Sequence, residues 1–166
     1  GDIRSEKILF TLLCVAKLQK NILGYKNGKY KFALTNIFKL ARVHIPSKDR
    51  DMLMHNLYKL GFINAPFRNN DDSRWITYMS DGINDVEAFK VNEIDFEELA
   101  YVYENWKNKG LGFTRCKVCN RLIKDKRKNM QSKAKNPKKY CENCATEVTK
   151  ANWREASNKY YNSHKN

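Results

Sequence analysis

Four cysteines in two pairs constrain this chain more than any other feature. The pairs are Cys116 with Cys119 and Cys141 with Cys144, and 21 residues separate one pair from the other. Two intervening residues within a pair let both sulfurs turn towards one point, where a tetrahedral Zn²⁺ can hold them. Two pairs at this separation match a known structural-zinc spacing. The sequence therefore predicts one zinc ion bound by all four thiolates.

The alternatives for these cysteines are disulfides or unpaired thiols. A lysine-rich chain without a signal segment is typical of an intracellular protein, and disulfides are rare inside cells. A catalytic zinc keeps an open position and usually includes histidine, so four thiolates favour a structural role. Asn120 follows the first pair, where a tight turn favours a residue that tolerates positive φ. The fifth cysteine, Cys14, lies among apolar residues and is predicted to be buried.

Charge is distributed unevenly along the 166 residues. Residues 1–80 carry 14 basic and 6 acidic residues, residues 81–109 carry 3 and 8, and residues 110–166 carry 15 and 4. This alternation indicates two basic modules joined by an acidic segment. The net charge of +14 points first to nucleic acid and then to an acidic membrane surface. The longest apolar run is far shorter than the ~20 residues that cross a bilayer, so no membrane association is predicted.

The first 80 residues predict three helices followed by a β-hairpin. Apolar residues recur at helical spacing in residues 5–20, 35–42 and 47–60. The residues suited to N-cap these helices are Ser5, Thr35 and Ser47. Gly61 supplies the stop after the third helix. Residues 30–32 can form a short strand, and the β-favouring runs 62–67 and 75–79 flank a polar turn.

This order resembles the winged helix-turn-helix family over about residues 3–80. The resemblance rests on element order and on the third helix, whose predicted buried stripe is Leu53, Leu57 and Leu60. It implies that the third helix faces the major groove of duplex DNA. The candidate contacts in this module are Lys48, Arg50, His55, Asn56, Lys59, Arg68 and Arg74. The alternative is a scaffold or dimerisation unit, because Asp49 and Asp51 would repel phosphate.

Residues 81–112 are interpreted as an acidic connector that contains one helix. Asp95 with Glu98 three residues later predicts a capping box, and residues 87–91 can form a short strand. The apolar side of the helix is predicted to be core: Phe96, Leu99, Val102, Tyr103 and Trp106. The predicted organisation is therefore a winged-helix domain at 1–80, this connector, and a zinc finger at 113–166. The fold class is α+β and mostly α.

In the last segment, a tight turn is predicted to hold Cys116 and Cys119, and a strand follows it over 121–123. Residues 139–140 then lead back to the second cysteine pair, and a helix is predicted over about 145–161. This order resembles treble-clef zinc fingers, and a zinc ribbon, which closes on strands, is the alternative. Residues 116–123 and 139–145 also resemble the C-termini of small proteins of phages and mobile elements in AT-rich bacteria, in which a basic helix follows the second cysteine pair. That resemblance implies no established activity.

The most unusual stretch is residues 124–139, interpreted as the tip of a hairpin. It holds eight Lys or Arg and one acid, Asp125, and has too few aliphatic residues to bury a core. Such a segment is suited to phosphate binding, because each cation releases condensed counterions. The alternative is a solvated charge run. The candidate contacts here and in the last helix are Lys124, Lys126, Arg127, Lys128, Lys133, Lys135, Lys138, Lys139, Lys150 and Arg154.

Three aromatic residues of the last helix have two possible roles. Trp153, Tyr160 and Tyr161 can stack on unpaired bases or pack the helix, and Trp153 is expected to pack.

The sequence predicts a DNA-binding protein that is not an enzyme. It contains no glycine-rich phosphate loop, His-Glu pair or nucleophile constellation, and its only histidine beyond residue 55 is His164. The predicted role is regulation of transcription or replication in a phage or mobile element, with duplex DNA as partner and one structural zinc as cofactor. The resemblance to phage and mobile-element proteins implies a location in the cytoplasm of a bacterial host cell. The alternatives are an adaptor or inhibitor that docks on host machinery, and an RNA-binding protein. The sequence gives neither the target site nor the oligomeric state.

Overall fold

The computed structural model describes residues 2–26, 29–64, 73–76, 91–127 and 136–164. They belong to two compact units, Gly1–Tyr103 and Glu104–Asn166. The boundary lies inside the segment interpreted as a connector. The chain is α+β and mostly helical, with two small antiparallel sheets. Among the described helices, none combines the length and the apolar character that a membrane span requires.

Six helices and four short strands are described. The helices are α1 (Ile3–Leu23), α2 (Leu34–Leu40), α3 (Ser47–Lys59), a 3₁₀ helix (Glu93–Glu98), α4 (Leu99–Lys107) and α5 (Glu142–Ser163). The strands are β1 (Lys29–Lys31), β2 (Ser73–Trp75), β3 (Phe113–Arg115) and β4 (Leu122–Lys124). The three N-terminal helices and the strand after the first of them confirm the predicted order. The predicted strand at residues 87–91 lies largely outside the described residues, and Val91 is not in a strand.

The helix ends differ from the predicted caps. Asp2 caps α1 by accepting hydrogen bonds from the backbone N–H groups of Arg4 and Ser5, so the predicted cap Ser5 is wrong. A carboxylate is favoured there because it also interacts with the positive end of the helix dipole. The predicted caps Thr35 and Ser47 lie inside α2 and α3, which begin without a side-chain cap.

The first sheet joins distant parts of the sequence. β1 pairs with β2 in antiparallel register, and Ile63 forms an antiparallel bridge with Ile76. Residues 73–76 therefore pair with β1 and with the segment that follows α3. The bridge agrees with the predicted pairing of 62–67 with 75–79, of which residues 65–67 and 77–79 lie outside the described residues.

The side chain of Gln19 on α1 supports β1. Its amide donates to the carbonyl of Lys31 and accepts from the N–H of the same residue, both at 2.8 Å. An unpaired strand edge exposes such groups to non-native pairing. Gln19 thus supplies the pair of hydrogen bonds that a neighbouring strand would make.

An apolar core holds the first unit together. Its members come from α1, α2, the segment that follows α2, α3, β1 and the Ile63–Ile76 bridge: Ile8, Leu12, Val15, Ala16, Tyr30, Ile37, Phe38, Ala41, Val43, Leu53, Met54, Leu57, Ile63 and Ile76. Burying one large aliphatic side chain contributes about 1.5–3 kcal/mol. This unit therefore has the means to fold through ordinary hydrophobic burial.

The buried stripe of α3 is partly as predicted. Leu53 and Leu57 are buried, but Leu60 is 67% exposed. Leu60 is the C-cap residue, and the chain turns away at Gly61, which has φ 77° and confirms the predicted stop. Met54 occupies the third buried position instead.

The 3₁₀ helix and the start of α4 complete the first unit. Asp95 is buried inside the 3₁₀ helix, whose N-cap is Asn92, so the predicted role of Asp95 as a cap is wrong. Tyr103 contacts α1: its ring lies 5.4 Å from that of Phe10, and its hydroxyl donates to Glu6 at 2.7 Å. Burial and this hydrogen bond raise the pKa of Tyr103 to about 12.

Two residues on the predicted apolar side of the helix have different environments. Leu99 is fully buried, whereas Trp106 is 50% exposed, contrary to the prediction that it belongs to a core. Gly110 and Gly112 follow the helix with φ of 82° and 81°, as expected for its termination.

Candidate metal centre and nucleic-acid interface

The second sheet places the first cysteine pair in its connecting turn. β3 and β4 pair in antiparallel register, and residues 116–121 join them. The N–H of Cys116 donates to Arg121 O, and the N–H of Asn120 donates to Cys116 O, both at 2.9 Å. Asn120 has φ 57°, which confirms the predicted conformation. This turn fixes the positions of Cys116 and Cys119.

The second pair lies at the N-terminus of α5. Cys141 is the N-cap residue, so Cys144 lies in the first turn of the helix. The N–H of Lys117 donates to Lys139 O at 2.9 Å, which attaches the segment before Cys141 to the first pair. The β3–β4 turn and the start of α5 together position the four sulfurs.

The four sulfurs fit one metal ion. All four lie within 4.8 Å of one another, and the Sγ atoms of Cys119 and Cys141 are 3.8 Å apart. A tetrahedral site with metal–sulfur bonds of about 2.3 Å has sulfur–sulfur edges of about 3.8 Å. The predicted ligand set is therefore brought together, and the cluster can hold one ion.

The pKa values of these thiols also favour the binding of a cation between them. Burial acts to raise the pKa of Cys116, but hydrogen bonds to its sulfur from backbone N–H groups, that of Cys119 first, lower it to about 6. A hydrogen bond with Cys141 is the largest cause that raises the pKa of Cys144 to about 12. Thiols this close cannot all ionise unless a positive charge lies among them. A bound metal supplies that charge and deprotonates its thiol ligands.

The fifth cysteine is separate from this centre. Burial raises the pKa of the Cys14 thiol to about 12, which suits the predicted small apolar role better than a reactive one.

The basic segment begins with a fixed ion pair. Asp125 is buried, and its N–H donates to Gly112 O at 2.8 Å. The carboxylate accepts from the backbone N–H and the Nε of Arg127, both at 3.0 Å. Arg127 also donates to Asn136 O at 2.5 Å, which joins the two described ends of the segment. Arg127, predicted as a phosphate contact, is therefore engaged within the protein.

Lys124 is engaged in the same way. Its ammonium group pairs with the carboxylate of Glu104 and lies 5.9 Å from the ring centroid of Phe113. Lys124 belongs to β4, whose partner is β3, and residues 139–140 form no strand. The interpretation of 124–139 as a hairpin tip is therefore wrong. The segment connects β4 to α5.

The remaining cations of this segment divide into two groups. Three are exposed: Lys126, Lys138 and Lys139. Three lie outside the described residues: Lys128, Lys133 and Lys135.

α3 presents most of its predicted contacts to solvent. The exposed ones are Lys48, His55, Asn56 and Lys59. Arg50 instead faces the protein: its Nε donates to Ile45 O at 3.0 Å, and its guanidinium lies 5.5 Å from the ring centroid of Phe38. Of the two wing residues, Arg68 lies outside the described residues, and only the backbone of Arg74, in β2, is described.

Sequence reasoning missed one side chain on this surface. Tyr58 is exposed, and its ring centroid lies 6.3 Å from that of His55. The sequence already indicated that Tyr58 lies beside His55, because residues three apart on a helix are neighbours.

α5 carries no buried residue over its 22 positions. Trp153 is 72% exposed, so the expectation that it packs is wrong, and Tyr160 and Tyr161 are exposed as well. Lys150 makes an ion pair with Glu147 at 3.0 Å, typical of an exposed helix. Helical periodicity cannot distinguish a packed aromatic face from an exposed one, because both have the same spacing.

Comparison of the chain with protein-family models, with curated proteins and with solved structures gave no match. The interpretation of the metal centre, α3 and α5 therefore depends on their own geometry and chemistry.

Proposed function

We propose that this chain is a DNA-binding protein. In this proposal the first unit is a winged helix that contacts bases of duplex DNA through α3, and the second is a treble-clef-like zinc finger that contacts phosphates. The observation that carries the proposal is the exposed polar face of α3, which follows α2 directly and has its opposite side buried in the core.

The connectivity of the first sheet supports the winged-helix assignment. A winged helix places the second wing strand between the first wing strand and the strand that follows the first helix. Residues 73–76 have this position, since they pair with β1 and with Ile63. In helix-turn-helix proteins the helix that precedes the wing lies in the major groove.

The exposed side chains of α3 are suited to base edges. Asn56 can make a bidentate contact with adenine, and Lys59 can donate to the acceptors of guanine. His55 and Tyr58 lie beside them. Asp51, also exposed, is compatible with contact to cytosine but repels phosphate. This face thus fits base contacts better than non-specific phosphate binding.

The metal in this proposal is a structural Zn²⁺. Four thiolates complete a tetrahedral shell and leave no position for water or substrate, which is the arrangement of structural zinc sites. We therefore infer a binding role and no catalysis. The zinc would hold the β3–β4 turn and the start of α5 in place, because metal-binding free energy serves as folding free energy in small modules.

The exposed lysines of the second unit are the proposed phosphate contacts. Residues 110–166 carry 15 basic and 4 acidic residues, and Lys126, Lys138 and Lys139 are exposed. Phosphate contacts position a protein, whereas base contacts give sequence preference. Regulation of transcription or replication in a phage or mobile element stays a prediction.

The first test is selection of bound fragments from a random duplex library at physiological salt. Enrichment of a common site is the expected result. On that site, Asn56→Ala and Lys59→Ala should narrow the difference between preferred and random DNA by about 1–3 kcal/mol. Asn21→Ala, a matched change of an exposed residue on α1, should leave the difference between preferred and random DNA unchanged.

The second test separates phosphate contacts from base contacts. Combined replacement of Lys126, Lys138 and Lys139 by Ala should weaken binding to all duplexes alike and reduce the slope of log K against log salt by about 0.9 per lost contact. The reverse pattern, with α3 variants losing only general affinity, would refute this division. If neither set changes duplex binding, docking on an acidic protein surface becomes the better explanation.

A further inference from the structure

One surface of α5 combines aromatic side chains that the proposed duplex contacts do not use. Trp153 and Tyr160 are seven residues apart, so they lie on the same face, two turns from each other. Tyr160 stacks on His164 with ring centroids 4.1 Å apart. Trp153 is 72% exposed and Tyr160 is 65% exposed. We call these three residues the aromatic strip.

The residues beside the aromatic strip leave the ring of Trp153 accessible. Thr149, Ala156 and Ser157, which are small, occupy the same side of the helix. The two acids after the first turn, Glu147 and Glu155, are more than 100° around the helix from Trp153, as 100° per residue requires. The aromatic strip itself is therefore free of negative charge.

Positive charge lies next to the aromatic strip. Arg154 follows Trp153 directly, and Lys150 precedes it by three residues. Lys150 and Lys159 each form an exposed ion pair with a glutamate of α5. Exposed pairs of this kind contribute little to stability, so these lysines can exchange the glutamate for another anion. This helix thus offers rings and cations together to a negatively charged ligand.

We propose that the aromatic strip binds unpaired bases of a single-stranded nucleic acid. Base–aromatic stacking tolerates any sequence because every base has a π face, and nearby cations contact the connecting phosphates. A helix that docks in a protein groove presents apolar anchors at positions i, i+3, i+4 and i+7, whereas the two middle positions between Trp153 and Tyr160 hold the small residues Ala156 and Ser157. Residues 149–164 contain no Leu, Ile, Val, Met or Phe, which favours bases over a protein groove.

This binding site is separate from the base contacts proposed for α3. It adds single-stranded nucleic acid to the ligands of the chain and does not require α3 to bind duplex DNA. Failure of one proposal therefore leaves the other standing.

The test compares two labelled 12-mers with the zinc-loaded full chain at one salt concentration. One is oligothymidylate, and the other has the same phosphates but abasic sugars. The wild type should bind oligothymidylate more tightly. Trp153→Leu or Tyr160→Leu should weaken oligothymidylate binding about fivefold to a hundredfold, the range for loss of one stacked base, and leave abasic binding unchanged.

Two control variants separate stacking from other effects. Trp153→Phe keeps a π face and should stay within about threefold of the wild type, while Trp153→Leu keeps apolar area only. Trp106→Leu removes another exposed tryptophan, on α4, and should have no effect. Equal binding of the two oligomers by the wild type, or equal losses on both in Trp153→Leu, would overturn the proposal. So would self-association of the wild type that Trp153→Leu abolishes without change in oligothymidylate binding.

Discussion

The two units of this chain differ in the interactions that can hold their elements together. The first unit buries side chains of three helices and a sheet in one core. In the second, the buried apolar side chains among the described residues are Leu122, Ile123 and Cys116, and α5 contributes none. The second unit replaces a core with four converging thiols. A segment too small to bury enough apolar area needs a metal or disulfides, and the convergence of all four sulfurs is compatible with one metal ion.

This contrast has a consequence for surface chemistry. In the second unit the longest helix, α5, takes no part in an apolar core. α5 is therefore left to present Trp153, Tyr160 and several cations to solvent. α3, by contrast, must divide its surface, because Leu53, Met54 and Leu57 bury one side of it.

The largest expected effect is loss of the metal. Cys141→Ser should abolish metal binding and unfold the chain from Phe113 onwards, because structural zinc contributes on the order of 10–16 kcal/mol of apparent binding free energy in small modules. The first unit should keep its helical signal and its own melting transition. Elemental analysis should give one zinc per wild-type chain. Circular dichroism should then show the loss of helix in the variant. Proton–nitrogen NMR spectra should show which residues lose the chemical-shift dispersion of a folded chain.

Cys14→Ala is the control for that experiment. Cys14 lies on α1 in the first unit and is not one of the four converging cysteines, so its removal should leave one zinc per chain. Wild-type protein purified without metal, or a Cys141→Ser variant with an intact second unit, would contradict the view that the second unit depends on a metal and the first on its core.

The second largest effect concerns the core of the first unit. Leu12 is fully buried, and Leu12→Ala should lower the free energy of unfolding of this unit by about 2–5 kcal/mol. Zinc content should not change. Chemical denaturation monitored by far-UV circular dichroism measures the loss, and Leu60→Ala, at an exposed leucine, serves as the matched control with a change below about 0.5 kcal/mol. Release of zinc in Leu12→Ala would show that the units are not independent.

Periodicity and spacing were sufficient to predict part of this architecture. Apolar spacing predicted α1, α2 and α3, and the cysteine spacing predicted a ligand set whose sulfurs converge. The positive φ of Asn120 followed from the chemistry of a tight turn. These features are encoded locally, so reasoning about nearby residues can find them.

The features that sequence reasoning missed depend on tertiary contacts. Arg127 resembles any other cation of the basic segment until Asp125 is found buried beside it. Trp153 has the spacing of a core residue, but no described part of the chain covers it. Leu60 fits the stripe of α3, yet the helix ends there and the chain turns away. In each case the role assigned to the residue was wrong, because the local sequence does not show which surface, if any, its side chain contacts.

The third prediction compares two adjacent cations. Arg127→Ala removes a side-chain partner of a buried carboxylate and the bond to Asn136 O, so it should destabilise the second unit and speed the loss of its metal. Lys126→Ala, the matched control at an exposed neighbour, should leave stability unchanged and reduce only the affinity for duplex DNA. The measurement is the rate of zinc transfer to a competing chelator. Equal transfer rates for the two variants would show that the ion pair with Asp125 contributes nothing to the unit.

The smallest expected effect is a gain of stability at a buried hydroxyl of α1. Thr11 is fully buried, and its Oγ1 finds no hydrogen-bond partner within the part of the chain that the structure describes. Thr11→Val replaces that hydroxyl by a methyl group of similar size and keeps the β-branched shape. Because an unsatisfied buried polar group costs about 1–3 kcal/mol, the variant should raise the free energy of unfolding of the first unit by about 1 kcal/mol. Thr35→Val makes the same change at an exposed position of α2 and should give no such gain. A loss of stability in Thr11→Val would mean that the hydroxyl has a partner, and the first unit would then depend on a buried polar contact as well as on its apolar core.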